Sequence, residues 1–511
     1  MLIDDLVTTS ANVAATRSRK AKVAALAAAL ATAERGELPF VTAYLGGTLL
    51  QRRTGLGWRG LRFLPEPADV TSLTVREVHE SFDRLAELEG TGSQQARTAA
   101  VADLFGRATA AEQRWLAGLV TGELRQGALD ALVQEALAAA AGVQVAAVRR
   151  AAMLAGSTVA IAGIAFDGED ALAAIGLEVG RPVLPMLAAS APDLPAAMAR
   201  AAPDGVPVSV DTKLDGIRIQ VHRASDDVVI ATRSLDDITH RLPEVVALAR
   251  SLPSARFVLD GEALALDADG RPRPFQETAS RTATALPEDG GGVAVTAYFF
   301  DLLHVDGRDL LDAPGHQRVA ALEQLVPESS LVPRLVTDDP TEAQAFADRV
   351  VADGHEGVVV KSLGAPYAAG RRGAGWVKVK PVHTLDLVVL AVEWGSGRRQ
   401  GWLSNIHLGA RDPSAGGFVM LGKTFKGMTD EMLTWQTERF LGLETSREGH
   451  VVHVRPEQVV EIALDGLQRS SRYPGGVALR FARVVRYRDD KTAGKADTLE
   501  TVRSMFPGGE G

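Results

Sequence analysis

The sequence predicts a multidomain protein in three successive parts: an all-α region, an α+β region and a small β-barrel. Three changes of texture carry this. Up to about Ala201 the chain is rich in Ala and Leu at helical spacing. From about Pro207, short β-branched runs alternate with helical stretches. From about His383 the runs become shorter and glycine-rich. A length of 511 residues leaves room for about three domains.

The first part is expected over 1–200. "KVAALAAALATAERG" and "QRWLAGLVTGELRQGALDALVQEALAAAAG" have the helical period and stop at glycines. "VGRPVLPMLAASAPDLP" concentrates Pro and Gly and reads as a linker. The second part is expected over 201–381, with "IRIQVHR", "VVIATR", "RFVLDGEALALD", "VAVTAYFFDLL", "EGVVVKS" and "WVKVKP" as strands. The third, over 382–511, holds "GWLSNIHLGAR", "GGFVMLGKTFKG" and "LRFARVVRYRDDK". Short, evenly spaced strands of this kind suit a barrel of the oligonucleotide-binding type.

Bulk properties exclude several classes. There is no cysteine, so disulfides, thiolate metal sites and cysteine nucleophiles are absent. No apolar run approaches the roughly 20 residues a membrane helix needs. The N-terminus carries acids before its bases and lacks the apolar stretch of a secretory signal. The formal net charge of −9 runs against nucleic-acid binding, but 55 Lys and Arg can still line one face.

Candidate chemistry gathers in the second part. In "VDTKLDGIRIQVHR", Lys213 stands between Asp211 and Asp215, and Gly216 follows. Alternation sends Ile217, Ile219 and Val221 to one face, and Arg218, Gln220 and His222 to the other. A lysine attacks only as the neutral amine, which needs desolvation or nearby positive charge. Read alone, "KxDG" fits a solvated turn equally well.

Other pieces favour the nucleophile. "WVKVKP" puts Trp376, Lys378 and Lys380 on one face, and adjacent lysines call for an anion between them. Arg372 lies in the glycine-rich "AGRRGAGW", suited to phosphates. Glu262 follows a strand and Glu356 precedes one, positions from which carboxylates hold Mg²⁺ or a ribose hydroxyl. Phe300 in "YFFDLL" is a core residue or a stacking platform for a base.

Taken in order, "KLDGIR", "VLDGEAL", "YFFDLL", "EGVVVK" and "WVKVK" resemble motifs I, III, IIIa, IV and V of the covalent lysine nucleotidyltransferases. Four further segments are similar to the ATP-dependent DNA ligases of that superfamily. They are "RPVLPMLA", "TRSLDDITHRLPEV" with Arg233, the helical "LVTGELRQGALDALVQEAL", and "RYRDDK" with Arg488, Asp490 and Lys491. The plan is most similar to bacterial accessory ligases with an N-terminal helical DNA-binding domain. Asp211 departs from the glutamate usual at its position.

The resemblance implies an adenylation domain and an OB-fold domain, a lysine–AMP intermediate on Lys213, and sealing of nicked duplex DNA. ATP is the implied nucleotide, with Mg²⁺ or Mn²⁺. It implies that Asp211 and Phe300 bind adenine, and that Arg218, Arg233 and Glu262 hold ribose or phosphate. Arg372, Lys378 and Lys380 face phosphates, Arg488 and Lys491 orient pyrophosphate, and Glu262 and Glu356 bind metal. A hinge is expected near Lys380 to Thr384. The implied protein is a monomer that encircles DNA, in the cytoplasm at the nucleoid. The alternatives are an RNA ligase or capping nucleotidyltransferase, and a DNA-binding scaffold with a degenerate site.

Overall fold

The computed structural model describes residues 1–51, 53–124, 130–283, 293–368 and 375–505. The N-terminal region is helical, as its spacing predicts, with helices from Ile3–Ala15 through Glu169–Ala173 around one apolar core. Starts and stops follow local chemistry. Thr74 with Glu77, and Thr109 with Glu112, form reciprocal capping boxes. Gly122 and Gly156 end their helices in the left-handed conformation.

The middle region is two sheets. One runs, in spatial order, Ala189–Ser190, Trp376–Val379, Gly357–Ser362, Val208–Lys213 and Arg334–Thr337. The other runs Asp227–Thr232, Ile217–Ala224, Arg256–Ala265, Val295–Val305 and Arg308–Asp309. "KLDG" is the crossing between them: Lys213 ends a strand of the first and Ile217 begins a strand of the second.

The proline-rich segment expected to be a linker is folded onto these sheets instead. Ala189–Ser190 pairs in parallel with Trp376–Val379. Helix Leu194–Ala201 packs its apolar face on Val208, Val210, Val358 and Val360. Upstream, the Gly180 N–H donates to His222 Nδ1 (3.1 Å) and the Val183 N–H to Gln220 Oε1 (2.8 Å). These bonds explain why Gln220 and His222, on the polar face of their strand, are buried.

Met153 and Leu154, from the last long N-terminal helix, are buried beneath the sheets with Val183, Met186, Tyr367 and Trp376. The helical region is thus continuous with the core of the middle region through apolar packing.

The C-terminal region is strand-rich. His383–Trp394 is its long central strand, pairing with Leu403–Arg411, with Val451–Val454 and with Val459–Leu464 along its length. Helix Asp430–Gly442 inserts Leu433 and Phe440 into the core. Among the described residues the strand ladders do not close a barrel. The gap is crossed by single bonds, Val484 N–H to the Lys426 carbonyl (2.9 Å) and Thr424 Oγ1 to the Ala482 carbonyl (2.6 Å).

Candidate active site

A cavity of about 1120 Å³ opens between the two middle sheets. Lys213, Asp211, Arg218, Arg233, Glu262, Phe300, Glu356, Lys378 and Lys380 all line it. These nine residues, separated in sequence, are thus brought to one cavity. Arg372 lies outside the described residues. Arg488 and Lys491 are not at the cavity: both bind Asp386, the arginine at 3.1 Å, on the C-terminal region's own central strand.

Two features of the "KLDG" crossing hold Lys213 in place. A Cβ on Gly216 would overlap the Ala263 carbonyl and stand 2.9 Å from Glu262 Cγ, so only glycine lets the turn lie against that strand. The Glu356 N–H also donates to the Lys213 carbonyl (3.1 Å). Glu356 then bridges two lysines, one carboxylate oxygen on Lys213 Nζ and the other on Lys380 Nζ.

At the aromatic end, Phe300 meets Trp376 edge-on at 5.8 Å. The Lys361 ammonium lies 4.5 Å from each ring centroid. It also pairs with Asp211 at 2.7 Å. Asp211 further accepts from Ser209 Oγ (2.5 Å) and Arg334 Nη2 (3.3 Å), and is 2% exposed. Burial alone would raise the Asp211 carboxyl, but the charges of Lys361 and Arg334 outweigh it and hold the group below the usual range. Burial lowers the Lys361 ammonium against the opposing pull of Asp211.

Arg218 does not point freely at a ligand. It forms a two-pronged pair with Asp260 (3.0 and 2.6 Å) and donates to the Met186 carbonyl (2.7 Å). Tyr367 caps this group, donating to Asp260 (2.7 Å) and accepting from the Met186 N–H (3.0 Å). Desolvation opposes the Arg218 charge, but Asp260 prevails and its pKa is raised. The guanidinium lies 5.5 Å from the Phe300 ring and so braces the aromatic end.

Glu262 is half-buried and lines the cavity. Desolvation pushes it up to about 7, against the opposing charges of Lys213 and Arg218. Asp215, with no derivable task in the sequence, pairs with Arg480 of the C-terminal region at 2.7 Å.

Sequence reasoning missed Lys361, Asp260, Tyr367, Arg480, Phe481 and Arg53. Phe481 lines the cavity, is 60% exposed, and has φ +53, a strained backbone for a bulky residue. Exposed aromatic character inside the basic "LRFAR" was the available signal. Arg53 reaches the cavity from the helical region, which depends on domain docking.

Comparison with known proteins agrees over the whole chain. Residues 185–380 match the family model described as ATP dependent DNA ligase domain. Residues 59–138 match DNA ligase N terminus, and 399–491 match ATP dependent DNA ligase C terminal region. The probable DNA ligase of Nocardioides sp. strain JS614 is 71% identical over 99% of both chains. That of Kineococcus radiotolerans is 65% identical over 99% of this chain and all of that protein. The fold is similar to the solved structure named "Pmar-Lig_PreS3", at TM-score 0.61 and 18% identity, covering 94% of this chain and 99% of that one. With all three regions matched and relatives this similar along the full length, the chain belongs to the ATP-dependent DNA ligase family.

Proposed function

We propose that this ligase seals nicks in duplex DNA through a lysine–AMP intermediate, with domains at 1–200, 201–381 and 382–511. The observation that carries this is the single cavity joining Lys213, the Lys378 and Lys380 strand and the Phe300–Trp376 pair. It offers a nucleophile, a phosphate site and a base platform in one cavity.

In the first step Lys213 Nζ attacks the α-phosphorus of ATP, the bond to pyrophosphate breaks, and a lysine–phosphate bond forms. AMP then passes to the 5′-phosphate of the nick, freeing the lysine. Last, the 3′-hydroxyl attacks that phosphate, a phosphodiester forms and AMP leaves. Positioning and charge neutralisation carry most of the rate in such transfers.

Phe300 packs on adenine and Asp211 anchors that end by fixing Lys361. Arg233 and Glu262 hold ribose or phosphate. Arg218 acts on the ribose–phosphate side by holding Met186 and Asp260 in place. Lys378 and Lys380 face phosphates, and the sequence offers Arg372, outside the described residues, for the same task. Glu356 occupies the phosphate position between its two lysines and gives way when ATP enters.

Among the described residues no group of three or more Asp, Glu or His is placed to hold a metal. Glu262 and Glu356, both lining the cavity, are the carboxylates that would hold a Mg²⁺ or Mn²⁺, with Glu356 first released from its two lysines and the remaining ligands from phosphate and water. Such an ion, when bound, supplies charge that stabilises the phosphoryl oxygens.

We read the C-terminal region, whose ladders stay open among the described residues, as a partly open barrel of the oligonucleotide-binding type. Arg488 and Lys491 orient pyrophosphate after it rotates about the Lys380–Thr384 connection, where Val382 is exposed. The working form is a cytoplasmic, nucleoid-associated monomer around the duplex. Among the described residues no helix is long and apolar enough to cross a membrane.

Incubation with α-labelled ATP and Mg²⁺, then denaturation, tests the assignment. Wild type keeps the label and Lys213→Ala does not. Equal labelling removes the proposal, and parallel assays with GTP and nicked RNA test the RNA-directed alternative.

A further inference from the structure

The loop between helices Leu38–Leu45 and Val75–Glu87 has a composition unlike the rest of the acidic chain. From Leu49 to Pro65 it carries Arg52, Arg53, Arg59 and Arg62 and no acid. Its fold is anchored from within. Leu61 is buried, and Leu56 and Leu64 pack on the helical core. Arg97 Nε donates to the Thr54 carbonyl at 3.2 Å, with Gly55 at φ +66 beside it.

With those residues inward, the loop turns the others out. Trp58 is 66% exposed and Phe63 84%, and the Arg62 guanidinium lies 5.4 Å from the Phe63 ring. Exposed aromatics alternating with arginines, without acids, match a sugar–phosphate backbone: guanidinium for phosphate, ring for sugar or base. An apolar protein partner would not call for the arginines. Arg53, at the near end of the same loop, lines the cavity that holds Lys213. The loop is thereby aimed at the broken position of the substrate rather than at distant duplex.

We propose that the Arg53–Phe63 loop is a DNA-contacting arm that grips the backbone beside the nick. Arg59 and Arg62 bind phosphates, Trp58 and Phe63 pack against the sugars, and Arg53 marks where the grip meets the reaction cavity. This rests on the ligase reading and adds a contact surface to it.

The test uses the full chain and a duplex with one central nick. A Trp58→Ala/Arg59→Ala/Arg62→Ala variant binds it roughly tenfold more weakly, and log affinity falls less steeply with log salt, by roughly 2 in slope. Arg59→Lys/Arg62→Lys keeps most of that slope, because lysine also neutralises phosphate; a structural role for the guanidinium groups would not be rescued. Lysine–AMP formation, which needs no DNA, reports the state of the reaction cavity in each variant. Nick affinity and salt slope equal to wild type in the triple variant overturn the arm. A wild type that forms no lysine–AMP overturns the ligase reading instead.

Discussion

Arg480, on the C-terminal strand Val477–Arg480, places Nη1 2.7 Å from the Asp215 carboxylate in the turn that carries Lys213. The C-terminal region is thus tied directly to the nucleophile's own loop. In this arrangement Arg488 and Lys491 are turned to Asp386, away from the cavity. The expected outcome is coupling. Asp215→Ala and Arg480→Ala each slow sealing of a nick by about tenfold, and the double variant is little worse than either, as for residues acting as one pair. Additive losses in the rate of sealing count against a shared role.

Arg488 and Lys491 separate the steps differently. Arg488→Ala lowers lysine–AMP formation strongly, while sealing of a nick already carrying 5′-AMP stays near wild type. Loss of both rates to the same degree contradicts rotation of the C-terminal region between steps.

Glu262 sets a pH limb. Its carboxyl titrates near 7 in the fold, above the ordinary range, because of desolvation. The charged form accepts hydroxyl or metal contacts, so activity rises through about pH 7. Glu262→Gln loses most activity and also loses that limb. The linkage to stability runs the other way. The fold favours the protonated acid, so this group's contribution is present at low pH and is lost as pH rises towards 7. Rate–pH profiles of both proteins decide the point.

Asp211 balances the buried Lys361 and the half-buried Arg334. Asp211→Asn leaves Lys361 and Arg334 without a full countercharge and destabilises the protein by about 3 kcal/mol, as breaking a buried pair does. Denaturant unfolding measures it, and a change below about 0.5 kcal/mol, within the range of an ordinary surface substitution, argues against the pairing.

Gly216→Ala inserts a methyl group against the Ala263 carbonyl. Overpacking of this kind costs about 1–3 kcal/mol. It also displaces Lys213, so lysine–AMP formation falls more than stability does. Labelling measured alongside thermal unfolding separates the two.

Residues whose meaning lies in local pattern were readable in the sequence. Trp376 and Lys378 alternate along one strand, Lys380 directly follows its end, and all three line the cavity. Glu356 stands just before its strand, as its pattern suggested, whereas Glu262, expected after a strand, lies within Arg256–Ala265, which runs on past it. Long-range packing was not readable. Asp211 seemed free to read a base, yet Lys361 arrives from a neighbouring strand and occupies it. Arg218 seemed to face a ligand, yet Asp260 and the supposed linker hold it. Proline and glycine marked that linker as irregular, which it is, but composition carries no signal that irregular backbone will cover a sheet.

The apolar packing of Met153 and Leu154 under the sheets has a mechanical consequence. Under the rotation we propose, this packing ties the helical and middle regions together and leaves the exposed connection around Val382 as the joint. A clasp with one joint opens and shuts along one path. On that proposal, loading ATP and grasping DNA are alternate positions of the same movement, taken in turn.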